Sequence, residues 1–379
     1  MSEIPVVVAA RRTPITVKGG GLAHRTAAEL AAPVVRACVD DAGSAGPVGD
    51  VVLGNTMGPG GNIARVAALA AGLGVEVPGM TIDRQCGSGL AAIITAAEAV
   101  RAGDGRLRIA GGVESCSTAP TRIADGVAYR RAPFAPPGHP DPDMVRAAQD
   151  LAVLDGIGRD RQDAYAARSH RLAVATRERG GFDGEIVPLD GVTADGGPRA
   201  RVPALLDRFP PLFPDAGGTL TAGNSCRDSD GAAAVAIVPS GARGAAPGLA
   251  VIATATVGCD PALPGLGPVG AVEALLDKAG RDLAEIAAIE LVEAFAAQAL
   301  ASLTRLGLAT TALDGVDPRV CADGGALALG HPWGASAAVS VVRLFSRLVR
   351  AGAPAGTLGL ATAAVGGGLG VAALFEVVR

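Results

Sequence analysis

A cysteine followed by two closely spaced glycines, in TIDRQCGSGLAAI over 81–93, is the first residue whose surroundings suit covalent chemistry. A strand ending near Asp83 and glycines at 87 and 89 place Cys86 at the start of a helix. There a thiol meets the positive end of the helix dipole and free backbone N–H groups, and both favour a nucleophilic thiolate. The same residue also fits a small buried filler of a strand–helix turn, and local context does not separate the two. His331, in DGGALALGHPWGAS, has a similar setting. A neutral imidazole there accepts a thiol proton or polarises a carbonyl, unless it is a core histidine satisfied by a backbone carbonyl. Gly366, Gly367 and Gly368 close an apolar run, where freed backbone N–H groups either hold an oxyanion or merely turn the chain. No GxxxxGK[ST] phosphate loop is present, and GPGGNIAR at 58–65 is not a dinucleotide fingerprint.

The elements that must position these residues follow from periodicity. Short β-branched runs near 6, 51 and 106 alternate with alanine-rich stretches, one carrying Leu30, Val34 and Cys38, another Leu90, Ile94 and Ala97. Strand, helix, strand in that order predicts parallel pairing with helical crossovers. Pro33 predicts a kink, or a later start, for the first helix. The last third repeats the scheme: strands near 250 and 288, a helix through GPVGAVEALLDKAG, one carrying Phe295, Leu303 and Leu306, and one carrying Val341, Leu344, Phe345 and Leu348. In each half a Gly-rich turn with a reactive side chain opens a helix, which points to a duplicated unit. The middle differs. Residues 118–142 read as an irregular loop rich in Pro, Arg and Gly, followed by a polar helix near 160–179 and turns up to Asn224. The division expected is 1–117 for the first half, 118–245 for an inserted loop domain near whose end the first half resumes, and 246–379 for the second half.

Composition removes several function classes. The net charge is −4, lysine occurs only at 18 and 278, and aromatics make up 3%, so no basic stripe interleaved with aromatics exists for nucleic acid. Six cysteines without a C-x-x-C pair indicate neither a disulfide scaffold nor a zinc module, and no metal is expected. A reducing cytoplasm is the simple reading. The apolar run at the N-terminus is too short for a signal core. Residues 351–375 carry no charge but contain Pro354 and the glycine run, so they read as two buried strands and a turn, not a membrane span.

Ten segments, in order, are similar to those of the thiolase family: AARRTPI at 9–15, GNTMGPGGNIAR at 54–65, RQCGSGLAAI at 84–93, GGVESCSTAP at 111–120, RDRQDAYAARSH at 159–170, GFDGEIVPL at 181–189, GTLTAGNSCRDSDGAAA at 218–234, VEAFA at 292–296, GGALALGHPWGAS at 324–336 and VGGGLG at 365–370. The resemblance implies an α/β fold of two similar βαβ-rich halves forming a five-layered αβαβα core with an inserted loop domain. It implies Cys86 as acyl-accepting nucleophile, His331 as its activator, and Gly366 with the N–H of Cys86 as the oxyanion hole. Met144, Phe295 and, across a one-residue gap, Phe213 fall on the pantetheine and acyl pocket. Acyl-CoA is the implied cosubstrate, with no permanently bound cofactor. A homodimer is expected, with a tetramer or hetero-oligomer as alternatives, because the segment before Asp143 is short for the family.

Several positions depart from that pattern. Thiolases carry a second cysteine before the glycine run, which moves the α-proton of acetyl-CoA; here it is Ala364. N-E-A-F reads VEAF, so Val292, followed two residues on by Ala294, replaces an asparagine that holds a catalytic water. Cys321 and Asp323 replace two asparagines, and Cys226 with Arg227 replaces a Ser-Gly pair beside pantetheine. Ala364 and Val292 make the pocket less polar and roomier. Arg227 reads as a partner for an acidic substrate group or as a solvated loop residue. Acyl-enzyme formation keeps its groups, whereas condensation with acetyl-CoA loses a base and an oxyanion contact, at about 10²–10⁴-fold each. The expectation is therefore an acyltransferase that passes an acyl group from Cys86 to an unidentified acceptor that is already nucleophilic. The alternatives are a conventional acetyl-CoA C-acyltransferase, with Cys226 or Cys321 as displaced base or its missing groups otherwise supplied, and a non-catalytic subunit.

Overall fold

The alternating runs of the first 120 residues form strands β1 (Pro5–Arg12), β2 (Thr16–Val17), β3 (Val48–Gly54), β4 (Gly79–Ile82) and β5 (Leu107–Ser115). Helices α1 (Ala27–Ala42), α2 (Ile63–Ala70) and α3 (Ser88–Arg101) lie between them. The computed structural model describes residues 3–43, 46–129, 131–214 and 217–379. In the middle of the chain are a hairpin of β6 (Arg122–Ala124) and β7 (Val127–Tyr129), helices α4 (Met144–Leu154) and α5 (Arg159–Glu178), and β8 (Ser229–Pro239). The last third contains β9 (Gly248–Gly258), α6 (Gly267–Ala279), β10 (Ile286–Leu291), α7 (Ala296–Arg305), α8 (Ala326–Leu329), α9 (Trp333–Leu344), β11 (Leu358–Val365) and β12 (Leu369–Val378).

The strands run in the order β10-β11-β12-β9-β1-β8-β5-β3-β4, with β2 paired to β8 off this path. β3 is parallel to β4 and β5, and β10 is parallel to β11, as helical crossovers require. The remaining pairs are antiparallel, so the sheet is mixed rather than parallel throughout. A three-glycine turn joining β11 to β12 leaves no length for a crossover. The two halves meet where β1 pairs with β9 through Val6–Ala250 and Val7–Leu249.

Three apolar layers separate the elements. Leu30, Val34 and Val35 of α1 bury against Val51, Leu53 and Ile109 on the outer side of the first half. Ala271 and Leu275 of α6 and Leu300 and Leu303 of α7 bury against Leu360 and Leu374, joined by Leu151 and Tyr165 from the insertion. Between the halves lie α3 and α9, with Leu90, Ile93, Val341 and Val342 packed against Val235 of β8 and Phe375 of β12. Helices, strands, helices, strands, helices is the five-layered order that the resemblance implied.

Two local expectations are corrected. α1 starts at Ala27, upstream of Pro33, and runs on to Ala42. Thr26 and Glu29 form a reciprocal capping box that fixes its start, and burial of its inner face carries the helix past a proline. Residues 118–142 are not wholly irregular, because Ile123–Ala128 pairing closes the β6–β7 hairpin around Asp125 and Gly126, both at positive φ.

One buried ionic cluster ties the first strand to the insertion. The Arg12 guanidinium donates to Glu185 at 2.7 Å and to both oxygens of Asp195 at 2.6 and 2.8 Å, and all three residues are buried. Arg343 of α9 donates to Glu185 and Asp323, and the Phe182 ring lies 5.3 Å from the Arg12 guanidinium carbon and 4.7 Å from that of Arg343.

Candidate active site

Cys86 sits in a single 3₁₀ turn, Gln85–Gly87, between the end of β4 and the start of α3. The turn is held tightly. Gln85 N donates to Asp83 at 2.8 Å, Arg84 N donates to the Ser88 hydroxyl at 2.7 Å, and that hydroxyl donates to the Gln85 carbonyl at 2.6 Å. Gln85 adopts φ of 44°, a left-handed conformation costly for a side chain with a Cβ. Cys86 itself is partly exposed.

His331 comes from the other half. Gly330, at φ of 114°, turns the chain from α8 into the His331–Pro332 link, and α9 begins at Trp333. The first turn of α9 lies directly on β5, where a Cβ at Gly112 would stand 1.9 Å from the Gly334 carbonyl oxygen. The His331 N–H donates to the Arg227 carbonyl at 2.9 Å. Its Nε2 lies 3.3 Å from Cys86 Sγ, and its Nδ1 lies 2.6 Å from the Ser336 hydroxyl. That hydroxyl donates to the Pro332 carbonyl at 3.1 Å, so its oxygen is left to accept Nδ1–H. The bond assigns the proton to Nδ1 and turns the Nε2 lone pair towards the thiol.

The protonation state differs from the expectation. Burial pushes the Cys86 thiol up to about 12, with the carboxylates of Glu114, Asp83 and Asp228 adding to the rise. Burial also lowers His331 to about 4. Between these limits the resting pair is a neutral thiol beside a neutral imidazole, not a thiolate beside an imidazolium. Burial, with the three carboxylates acting the same way, outweighs the backbone hydrogen bond that favours the thiolate. Alkylation of Cys86 by iodoacetamide should therefore rise about tenfold per pH unit between 7 and 9, read by peptide mass spectrometry. A rate that is already flat across that range would mean a stable thiolate.

Glu114 was missed by sequence reasoning, although it stands in the GGVES segment. It is fully buried in β5 and accepts from Asn55 Nδ2 at 3.0 Å, Thr56 N at 3.2 Å, Met57 N at 3.0 Å and Gly334 N at 3.0 Å. One carboxylate thus fastens the loop after β3 to the N-terminus of the helix that follows His331. Burial pushes it up to about 7, against the pull of those backbone donors.

The expected pocket residues divide into groups. Cys226 and Ala294 are brought together, since Cys226 N donates to the Ala294 carbonyl at 2.9 Å and Ser225 bridges Phe295. Cys226, Ala294, Phe295 and Ala364 are all partly exposed. Burial raises the Cys226 thiol, and Cys86 and Asp228 push it the same way. Met144 opens α4, and Arg146 two residues on stacks over Phe213 with 5.6 Å to the ring centroid. Gly366 follows β11, with Val365 lying against Gly87 next to the nucleophile.

Three placements correct the sequence reading. Cys321 is fully buried, its sulfur donating to the Leu291 carbonyl at 3.4 Å, so it is closed to substrate and is no displaced base. Val292 is buried and lines a small cavity of about 20 Å³ with Gly325, Ser336, Ser340 and Arg343, rather than widening a roomy pocket. Arg227 turns its guanidinium to the carbonyls of Gly197 at 2.9 Å and Ala328 at 3.1 Å, so it is neither a solvated loop residue nor poised for an acidic substrate. Asp228, whose type alone gave no signal, forms a parallel bridge with His331 and brings a carboxylate within electrostatic reach of Cys86, Cys116 and Cys226. Among the described residues no helix is long and apolar enough to cross a membrane.

Residues 5–241 match the family model described as Thiolase, N-terminal domain, and residues 246–377 match Thiolase, C-terminal domain. A Staphylococcus haemolyticus protein carrying the provisional name acetyl-CoA C-acetyltransferase VraB is 41% identical over 389 residues, covering 98% of each chain. A protein of the same provisional name from Staphylococcus epidermidis is 39% identical over 390 residues, again covering 98% of each. The crystal structure of the Bacillus anthracis acetyl-CoA acetyltransferase superposes with a TM-score of 0.89 at 32% identity, covering 100% of this chain and 99% of that one.

Proposed function

The chain belongs to the thiolase family, and on that premise we propose that it takes an acyl group from a CoA thioester onto Cys86 and passes it to a second acceptor. The observation that carries this reading is the 3.3 Å contact between His331 Nε2 and Cys86 Sγ, with the tautomer set by Ser336. As the sulfur attacks the thioester carbon, Nε2 takes the thiol proton. The carbonyl oxygen gathers charge against the backbone N–H groups of Cys86 and Gly366. The C–S bond to CoA then breaks, CoA leaves as its thiol with the proton from His331, and the acyl group stays on Cys86. The acceptor next attacks that carbon, gives its proton to His331 and releases the Cys86 thiol.

The choice of acceptor rests on what is missing. The methyl group of Ala364 takes no proton, and Val292, buried and apolar, holds no water by an amide. Removing the α-proton of acetyl-CoA thus lacks its base, so an amine, a hydroxyl, an electron-rich ring or a carrier thiol is the favoured acceptor class. Incubation with acetyl-CoA followed by intact mass measurement should show one added acyl group, absent from Cys86→Ala. No adduct on the unaltered protein, or one surviving that substitution, refutes the proposal. A second reading has Cys226 as a displaced base, supported by its partial exposure and its electrostatic coupling to Cys86. Acetoacetyl-CoA cleavage that is present in the unaltered protein and lost in Cys226→Ser would favour it.

A further inference from the structure

Phe134 belongs to the proline-rich stretch of the insertion, and neither the motifs nor the mechanism above assigns it a role. Its ring lies against the glycine turn of the candidate oxyanion site. A Cβ on Gly366 would stand 2.6 Å from Phe134 Cε2, 3.0 Å from Cδ2 and 3.1 Å from Cζ, and one on Gly367 would stand 3.2 Å from the Phe134 carbonyl oxygen. Any side chain at Gly366 would collide with that ring, so the glycine and the phenylalanine fit as a pair.

The ring is held from its other side too. The Arg131 guanidinium carbon is 4.4 Å from the ring centroid. Arg131 in turn donates to the Asp141 carboxylate at 2.8 Å, to the Asp141 carbonyl at 3.0 Å and to the Pro142 carbonyl at 3.2 Å. Phe134 N donates to the same carboxylate at 3.3 Å. Prolines at 133, 136, 137, 140 and 142 fix φ along this segment and limit its freedom. The result is a braced aromatic wall rather than a loose loop.

From this geometry we infer that Phe134 is a specificity-determining residue, a fixed wall of the acyl compartment that admits short acyl groups and excludes long ones. The inference rests on the acyl-Cys86 reading. If Gly366 N–H holds the thioester oxygen at about 3 Å, a ring on the adjacent Cα lies within one side chain's reach of the acyl carbon. The loop was expected to be irregular and the pocket roomy; the ring gives both a definite shape.

The test compares loading of Cys86 from acetyl-CoA and from octanoyl-CoA by time-resolved intact mass measurement. Phe134→Ala should raise the octanoyl-to-acetyl rate ratio by at least about tenfold, the scale on which a few methylenes are discriminated. Asp141→Ala, which removes the brace and leaves the ring, should move the ratio in the same direction. An unchanged ratio in both variants, with acyl groups still loading in the unaltered protein, overturns the inference and spares the acyl-enzyme reading. If the unaltered protein loads neither thioester, that reading falls, and calorimetric binding of the same two thioesters to Cys86→Ala decides the wall. An octanoyl-to-acetyl affinity ratio that rises when Phe134→Ala is added supports it, and one that does not move overturns it.

Discussion

Restoring a thiol and an amide through Ala364→Cys and Val292→Asn together should raise thiolysis of acetoacetyl-CoA by about 10²–10⁴-fold over the unaltered chain. The first substitution is sterically open. Ala364 is partly exposed, whereas its strand neighbours Ala363 and Val365 are buried, so a sulfur at 364 points away from the core. The second needs a polar partner, because a buried amide without one costs about 1–3 kcal/mol. The adjoining cavity of about 20 Å³ has room for a water. Its wall includes Arg343, whose Nε has no hydrogen-bond partner among the described residues. The single variants separate the contributions: Ala364→Cys supplies the proton shuttle, and Val292→Asn alone supplies only a hydrogen bond. A coupled assay that follows CoA-dependent loss of acetoacetyl-CoA reads the result. An unaltered protein that already turns over at the rate of the double variant would show that the missing groups are supplied from elsewhere.

Arg12→Met should cost about 3–5 kcal/mol of folding stability, read by urea denaturation. The guanidinium is fully buried and is shared by Glu185 and Asp195, which are buried too. Burial and these two carboxylates act in opposite directions on Arg12, and the carboxylates win, raising it above its ordinary value. Removing the cation leaves Asp195 with only backbone help from Ile15 N at 2.8 Å, while Glu185 keeps Arg343. Arg12→Lys is not expected to rescue, since one ammonium cannot make the forked contact to Asp195 and reach Glu185 as well. Arg12→Met combined with Asp195→Asn should recover part of the loss. A loss below about 1 kcal/mol for Arg12→Met would place the cluster among pairs that break even.

Much of the site was legible because its two reactive side chains announce themselves locally. Cys86 and His331 each sit in a Gly-rich turn at the start of a helix, and that pattern is written in a dozen consecutive letters. Their ionisation was not legible. It depends on Glu114 from β5, Asp83 from the preceding turn and Asp228 from the entry to β8, which only the folded chain brings within reach of one sulfur. Element order gave the helical crossovers and the duplicated halves, because a strand–helix–strand sequence leaves few ways to bury both faces, whereas the five layers came from the family resemblance. The helix through Leu30, Val34 and Cys38 was expected but its early start was not, because the Thr26–Glu29 cap outweighs the warning given by Pro33. Cys321 and Arg227 were placed in the pocket by their neighbours in sequence. One is buried with its sulfur on Leu291, and the other spends its guanidinium on main-chain carbonyls. Phe134 was invisible for the opposite reason: nothing in a proline-rich loop says which glycine its ring will cover.

Cys86 and His331 stand 245 positions apart in the chain, and this has a meaning for biosynthesis. A nascent polypeptide leaving the ribosome exposes Cys86 long before the segment bearing His331 has been translated. Since α3 and α9 share one layer between the halves, the imidazole stands beside the sulfur only when both halves are assembled. Truncated products and stalled chains therefore carry a sulfhydryl with no proton acceptor beside it. On the proposed function, loading of Cys86 from a CoA thioester then waits for the second half of the chain.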